Sequence, residues 1–248
     1  MGLMVQPLRF LLLQVRNFDD PMLGAEVASF ARALQVPEER IAVADLLAGF
    51  PAPERLKACD VVLLGGSGHY SVTRDSAWLD EILAGLADLC ESGKPTFASC
   101  WGFQAIARAL GGRVIHDVDR AEVGTLPIKL TEEGRRDRIF GGLPPTFWGQ
   151  LGHEDHVVEL PPGAIRLAYS DLAANQAFCL EGKPVYCTQF HPELSRADFI
   201  ARLEAYPQYV AAAAGMTMEQ FRSATRETPE AESLLPRFVE AFLGPALA

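Results

Sequence analysis

The five cysteines of this 248-residue sequence form no Cys-x-x-Cys pair, show no metal-ligand spacing and are odd in number. Nothing here resembles a disulfide framework or a cysteine-held metal, and with no secretion signal a reducing cytoplasm is the expected compartment. No run of lysine or arginine offsets the net charge of −10, which argues against nucleic acid and anionic membranes as partners. Long apolar runs are missing too. Leu8–Leu13 carries Arg9, is too short for a signal segment or a membrane span, and reads as a first buried strand. No Gly-Lys-Ser/Thr follows the glycine turn at Gly65, so there is no P-loop. Ser67 is not a serine nucleophile either, because a Gly-x-Ser-x-Gly elbow needs glycine where His69 stands. Internal repeats and low-complexity tracts are absent.

What is present is the composition of an ordinary globular protein, 49% hydrophobic and 22% charged. The chain is long enough for one sizeable core and short for two catalytic domains. Leu8–Val15, Ile41–Ala44, Asp60–Leu64 and Thr96–Ser99 read as strands. Between them, Asp20-Pro21 opens a helix with Leu23, Val27, Phe30 and Leu34 on one face, and Leu79, Ile82, Leu83, Leu86 and Leu89 mark another. This alternation predicts an α/β fold, a mostly parallel central sheet with helices on both faces. The second half changes to short strands, Arg113–Ile115, Gly124–Leu130, Pro145–Gln150, Ile165–Ser170, Gln176–Leu180 and Pro184–Phe190, read as sheet extension or a small antiparallel ribbon. After them, Ser195–Leu203 and Tyr209–Ala214 read as helices, and Thr217-Met218-Glu219-Gln220 is a capping box. Leu234, Leu235, Phe238, Val239 and Phe242 form an apolar face that Pro236 should kink or split.

Three stretches carry chemistry. Cys100 follows the apolar run Thr96–Ser99 and precedes a helical pattern of Phe103, Ile106, Ala107 and Leu110. The thiol therefore sits on a strand-to-helix turn with the positive end of a helix dipole beneath it. A cysteine nucleophile needs a base, and the base needs an orienting group. His191 and Glu193, just past the strand-like Val185–Phe190, supply both types. The third stretch, Asp60–Leu64 running into Gly65-Gly66-Ser67-Gly68, offers backbone N–H groups to a developing oxyanion. His153, Glu154, Asp155 and His156 lie in a stretch read as a loop, without His-Glu-x-x-His spacing, and no metal site is expected there. His69 and His116 read as surface or loop groups, and Trp78 and Trp148 as packing residues.

Gly65-Gly66-Ser67-Gly68, Ala98-Ser99-Cys100-Trp101-Gly102-Phe103-Gln104 and Phe190-His191-Pro192-Glu193, in this order, resemble the class I, triad-type glutamine amidotransferase family. Gly152-His153-Glu154-Asp155-His156-Val157, followed by Leu160-Pro161, is similar to a further segment of that family. The likeness spans roughly residues 9–195 and is to a stand-alone domain similar to the glutaminase domain of GMP synthase. It implies a flavodoxin-like sheet, with residues 1–195 as the catalytic domain, and the helical pattern of 196–248 reads as an extension packed on it. By resemblance Cys100 is the nucleophile, His191 the base and Glu193 its orienting carboxylate. Gly66 and Trp101 would present the oxyanion-hole amides, and Gly68, Gln104 and the backbone of Glu154 and Asp155 would hold glutamine. The implied reaction releases glutamate and ammonia through a thioester, needs no metal or organic cofactor, and calls for a separate synthetase subunit to accept the ammonia. Ala98, Ser67 and Gly152 depart from the family pattern without removing a catalytic group. Two alternatives stay open: hydrolysis of γ-glutamyl peptides or amides, and a non-catalytic binding or redox-sensing module.

Overall fold

In a computed structural model describing residues 7–207, 210 and 215–244, strand and helix alternate through the first half. The order is β1 (Phe10–Gln14), α1 (Met22–Leu34), β2 (Ile41–Asp45), α2 (Pro53–Lys57), β3 (Val61–Leu64), α3 (Ala77–Glu91), β4 (Thr96–Ser99) and α4 (Trp101–Ala109). There follow β5 (Arg113–His116), β6 (Glu122–Leu130), α5 (Glu132–Arg136), β7 (Thr146–His153), β8 (Asp155–Glu159), β9 (Ala164–Tyr169), β10 (Ala177–Leu180) and β11 (Val185–Thr188). Beyond them lie α6 (Arg196–Ala205), α7 (Met218–Ala224), α8 (Pro229–Glu232) and α9 (Leu234–Leu243). The Tyr209–Ala214 helix expected from the sequence falls outside the described residues, apart from Val210.

Among the described residues nine strands form one sheet in the order β2-β1-β3-β4-β11-β10-β9-β6-β7. Its first five members are parallel and the rest antiparallel. Of the parallel strands, β1, β3, β4 and β11 are buried residue for residue because they are covered on both faces, while β2 at the edge is partly exposed. Side chains alternate between two cores: Phe10, Leu12, Val61, Leu63, Phe97 and Tyr186 enter one, with Phe30, Leu234 and Phe238. Leu11, Leu13, Val62, Leu64, Ala98 and Cys187 enter the other, with Leu79, Ile82, Leu86 and Ile106. The mostly parallel α/β architecture expected from the sequence is therefore the one observed, extended by an antiparallel half.

Local departures have physical causes. The stretch 153–156 is not a loop: β7 runs to His153, and β8 starts at Asp155 and pairs with β5 in a separate two-stranded ribbon. Leu23 on α1 is exposed, and the acidic Glu26 is buried in its place. The C-terminal apolar stretch splits at Ser233, so Pro236 lies in the first turn of α9, where its missing N–H leaves no bond unmade.

Candidate active site

Parallel pairing aligns the chemistry. β11 lies beside β4 with Thr188 level with Ser99, so the segments that follow leave the same carboxyl edge of the sheet. The Cys100 N–H donates to the Thr188 carbonyl at 2.8 Å. Two motifs far apart in sequence thus become neighbours at the edge where open α/β sheets bind ligands. Cys100 has φ 51° and ψ −105°, a strained conformation for a residue with a side chain. Its place between β4 and α4 makes that turn the sharp strand-to-helix elbow read from the sequence. Gly102 lets the chain return under it, since a Cβ there would lie 2.6 Å from Leu64 Cβ and 3.1 Å from Ala98 Cβ.

His191 and Glu193 are buried side by side, with His191 Nδ1 2.6 Å from Glu193 Oε1. The short contact with a carboxylate oxygen puts the ring hydrogen on Nδ1 and leaves Nε2 as the basic nitrogen. Burial opposes charge on His191, but the Glu193 carboxylate and the Cys100 sulfur outweigh it and raise the imidazole to about 9. Burial likewise pushes the Glu193 carboxyl up, and His191 and Arg202 reverse this to a net lowering. The other four thiols do not share this setting. Burial pushes Cys90 and Cys179 up to about 12, and Cys59 and Cys187 also rise.

The raised imidazole has a consequence for stability. A group whose folded pKa exceeds its unfolded value stabilises the fold fully below the unfolded value and loses that contribution as pH rises through the folded one. Wild type should therefore exceed His191→Gln in unfolding free energy most clearly near pH 6, with the gap closing between about 6.5 and about 9. Paired urea titrations across that range check this, and a constant gap would contradict the ionic pairing.

Cys100 stands between two recesses. The larger, about 220 Å³, is lined by Gly68, Cys100, Trp101, Gln104, Glu154 and Asp155 among others, so all the residues implied by resemblance to hold glutamine meet there. Gln104 spans it, donating from Nε2 to the Asp155 carbonyl at 3.1 Å. Asp155 is fixed further by Ser71 Oγ at 2.5 Å and His116 Nδ1 at 2.9 Å. His116, read as a loop group, is thus part of the pocket wall. The smaller recess, about 40 Å³, lies on the His191 side and is walled by Phe199, Arg202, Leu203 and Tyr206.

Sequence reasoning missed a buried charge network behind the glycine turn. Arg16 grips Glu26 with two bonds, Nε–Oε2 at 2.8 Å and Nη2–Oε1 at 3.0 Å. Its Nη1 reaches Asp20 at 3.1 Å and the Tyr206 hydroxyl at 3.2 Å, and Nη2 donates to the Gly66 carbonyl at 3.1 Å. The Gly65 carbonyl accepts from the Gly102 N–H at 3.2 Å. Both peptide planes around Gly66 are thereby pinned, and so is the direction of its N–H. Arg202, from α6, comes within 3.3 Å of His191 Nδ1. Because that nitrogen already carries the hydrogen given to Glu193, the contact is electrostatic and opposes imidazolium charge.

Residues 36–202 match the family model described as glutamine amidotransferase class-I. The chain belongs to this family. A glutamine-hydrolysing GMP synthase subunit from Sulfolobus acidocaldarius is 35% identical over 147 residues, covering 58% of this chain and 73% of that protein. The corresponding subunit from Methanosarcina acetivorans is 40% identical over 101 residues, 41% of this chain and 51% of that one. Against the glutamine-hydrolysing GMP synthase of Aquifex aeolicus the match is 35% over 109 residues, only 21% of the relative's length. Among solved structures, a glutamine amidotransferase from Thermotoga maritima shares the fold over 96% of this chain and 98% of its own, with a TM-score of 0.75 at 20% identity. The flavodoxin-like sheet, its antiparallel extension and its terminal helices are thus the fold of a known class I structure. Among the described residues no helix is long and apolar enough to cross a membrane.

Proposed function

We propose that this class I glutamine amidotransferase hydrolyses the side-chain amide of glutamine, with Cys100 as nucleophile, His191 as general base and acid, and Glu193 holding the imidazole. The observation that carries the reading is the strained Cys100 elbow in one recess with a His191–Glu193 pair joined at 2.6 Å. Sγ attacks the amide carbon, and the resulting oxyanion is taken by the N–H groups of Gly66 and Trp101. Protonated His191 then gives its proton to the departing nitrogen, releasing ammonia and leaving a thioester. Water, deprotonated by His191, attacks the thioester to yield glutamate and restore the thiol. The glutamyl part occupies the larger recess, held by Gly68, Gln104 and the backbone of Glu154 and Asp155. The smaller recess takes the leaving group.

The relatives named as glutamine-hydrolysing favour glutamine over γ-glutamyl peptides as the substrate. The relatives named as subunits of a glutamine-hydrolysing GMP synthase support a second part of the proposal, that a separate ammonia-consuming protein works with this chain. Ammonia release from glutamine should exceed amine release from glutathione under matched conditions. Rapid glutathione cleavage without ammonia from glutamine would replace this reading with that of a γ-glutamyl peptide hydrolase. Neither activity, with or without partners, would leave a binding or redox-sensing module.

A further inference from the structure

Beside the larger recess lies a second cluster of groups that the reaction above does not use. Glu122 at the start of β6, His153 at the end of β7 and His156 in β8 are all buried, and one donor atom of each lies within 4.8 Å of the others. His153 Nδ1 is 3.0 Å from the Asp155 carbonyl, which only accepts. The ring hydrogen is therefore on Nδ1, and Nε2 carries a lone pair. That lone pair faces Glu122 Oε2 at 3.1 Å. Two acceptors at that distance, both buried, repel unless a cation or a proton lies between them. His153 Nε2 and both ring nitrogens of His156 are buried without a hydrogen-bond partner.

We propose that Glu122, His153 and His156 bind one divalent transition-metal ion of the zinc class. Two imidazoles and a carboxylate are a common donor set for zinc, with a fourth position left to water. Bond lengths of roughly 2.0–2.1 Å give a tetrahedron with edges of roughly 3.3 Å, close to the His153–Glu122 separation. Outer-shell partners are already in place, as metal-ligating groups require. The Asp155 carbonyl orients His153, and Gln176 Nε2 donates to Glu122 Oε2 at 2.6 Å. His153 also lines the larger recess, which gives the ion a way in. The ion would join β6, β7 and β8 behind Glu154 and Asp155. The carboxylate comes from Glu122, distant in sequence, and so the run His153-Glu154-Asp155-His156 did not reveal the set.

The test uses the full chain carrying Cys100→Ser, which removes thiolate binding of metal at the candidate active site. After chelator treatment and dialysis it is titrated with zinc or cobalt(II). The expected result is one ion per chain by elemental analysis, visible absorption of low-coordinate cobalt(II), and a rise in Tm on loading. Glu122→Gln and His156→Gln, checked for folding by circular dichroism, should each weaken binding by about 100-fold or more. If a variant fails to fold, the stoichiometry of the parent chain still decides. A folded parent that takes up no ion, or uptake unchanged by both substitutions, overturns the proposal and leaves a shared proton between Glu122 and His153. This outcome is independent of glutaminase activity.

Discussion

Cys100→Ser should lower ammonia release from glutamine by about 10⁴- to 10⁶-fold while leaving the unfolding midpoint nearly unchanged. The size follows from the proposed roles: a nucleophile, a base and an orienting group act as one unit, and removing the nucleophile leaves only binding and oxyanion stabilisation. Serine fits the space of cysteine, and the elbow at φ 51° is set by flanking backbone contacts that serine keeps. What changes is the atom. His191 is raised to about 9 partly by the Cys100 sulfur, so the pair is arranged to separate charge between sulfur and ring. A hydroxyl gives up its proton far less readily, and the separation fails. Steady-state ammonia assays on the purified variant decide this. Activity within tenfold of wild type would remove Cys100 from the mechanism, whatever the geometry around it.

Arg16→Met should reduce folding stability by about 3–5 kcal/mol at neutral pH, the usual effect of removing one partner from a buried ion pair. The pairing is well satisfied in the wild type: the Arg16 side chain is 1% exposed, and Glu26 and Asp20 are equally enclosed. Methionine fills much the same volume but leaves two carboxylates without their cation. Urea denaturation of variant and wild type at pH 7 measures the loss. A deficit below about 1 kcal/mol would show that the buried pairing contributes little to the fold. Turnover should fall as well, because the Gly66 carbonyl loses the guanidinium that fixes its peptide plane.

These two predictions differ in how visible their residues were beforehand. Cys100, His191 and Glu193 were legible because each follows a short buried strand, and parallel strands release their ends on one edge. The alternation of strands and helices up to Thr96–Ser99 was equally plain, whereas Pro184–Phe190, read as sheet extension or antiparallel ribbon, runs parallel beside β4. Arg16, Glu26, Tyr206 and Arg202 were not legible. A charged residue on an amphipathic helix ordinarily faces water, and nothing local distinguishes Glu26 from such a residue. Only tertiary packing brings an arginine from the β1–α1 connection to meet it. The ribbon of β5 and β8 was obscured for a related reason. His153-Glu154-Asp155-His156 is as polar as a turn, yet Asp155 is accepted inside because Ser71 and His116 supply partners for its carboxylate, and His153 Nδ1 donates to its carbonyl.

One of the two cores described above bears on where the protein tolerates change. Phe97, in the strand that delivers Cys100, meets Phe238 of α9 edge to face, with ring centroids 5.5 Å apart. Arg32 meanwhile holds the Glu193 carbonyl, Asp198 and Glu232 together. A shortened version ending before residue 228 would strip the rear of that strand and loosen the segment after His191. Deletion at the tail would then be felt at the thiol, on the far side of the sheet.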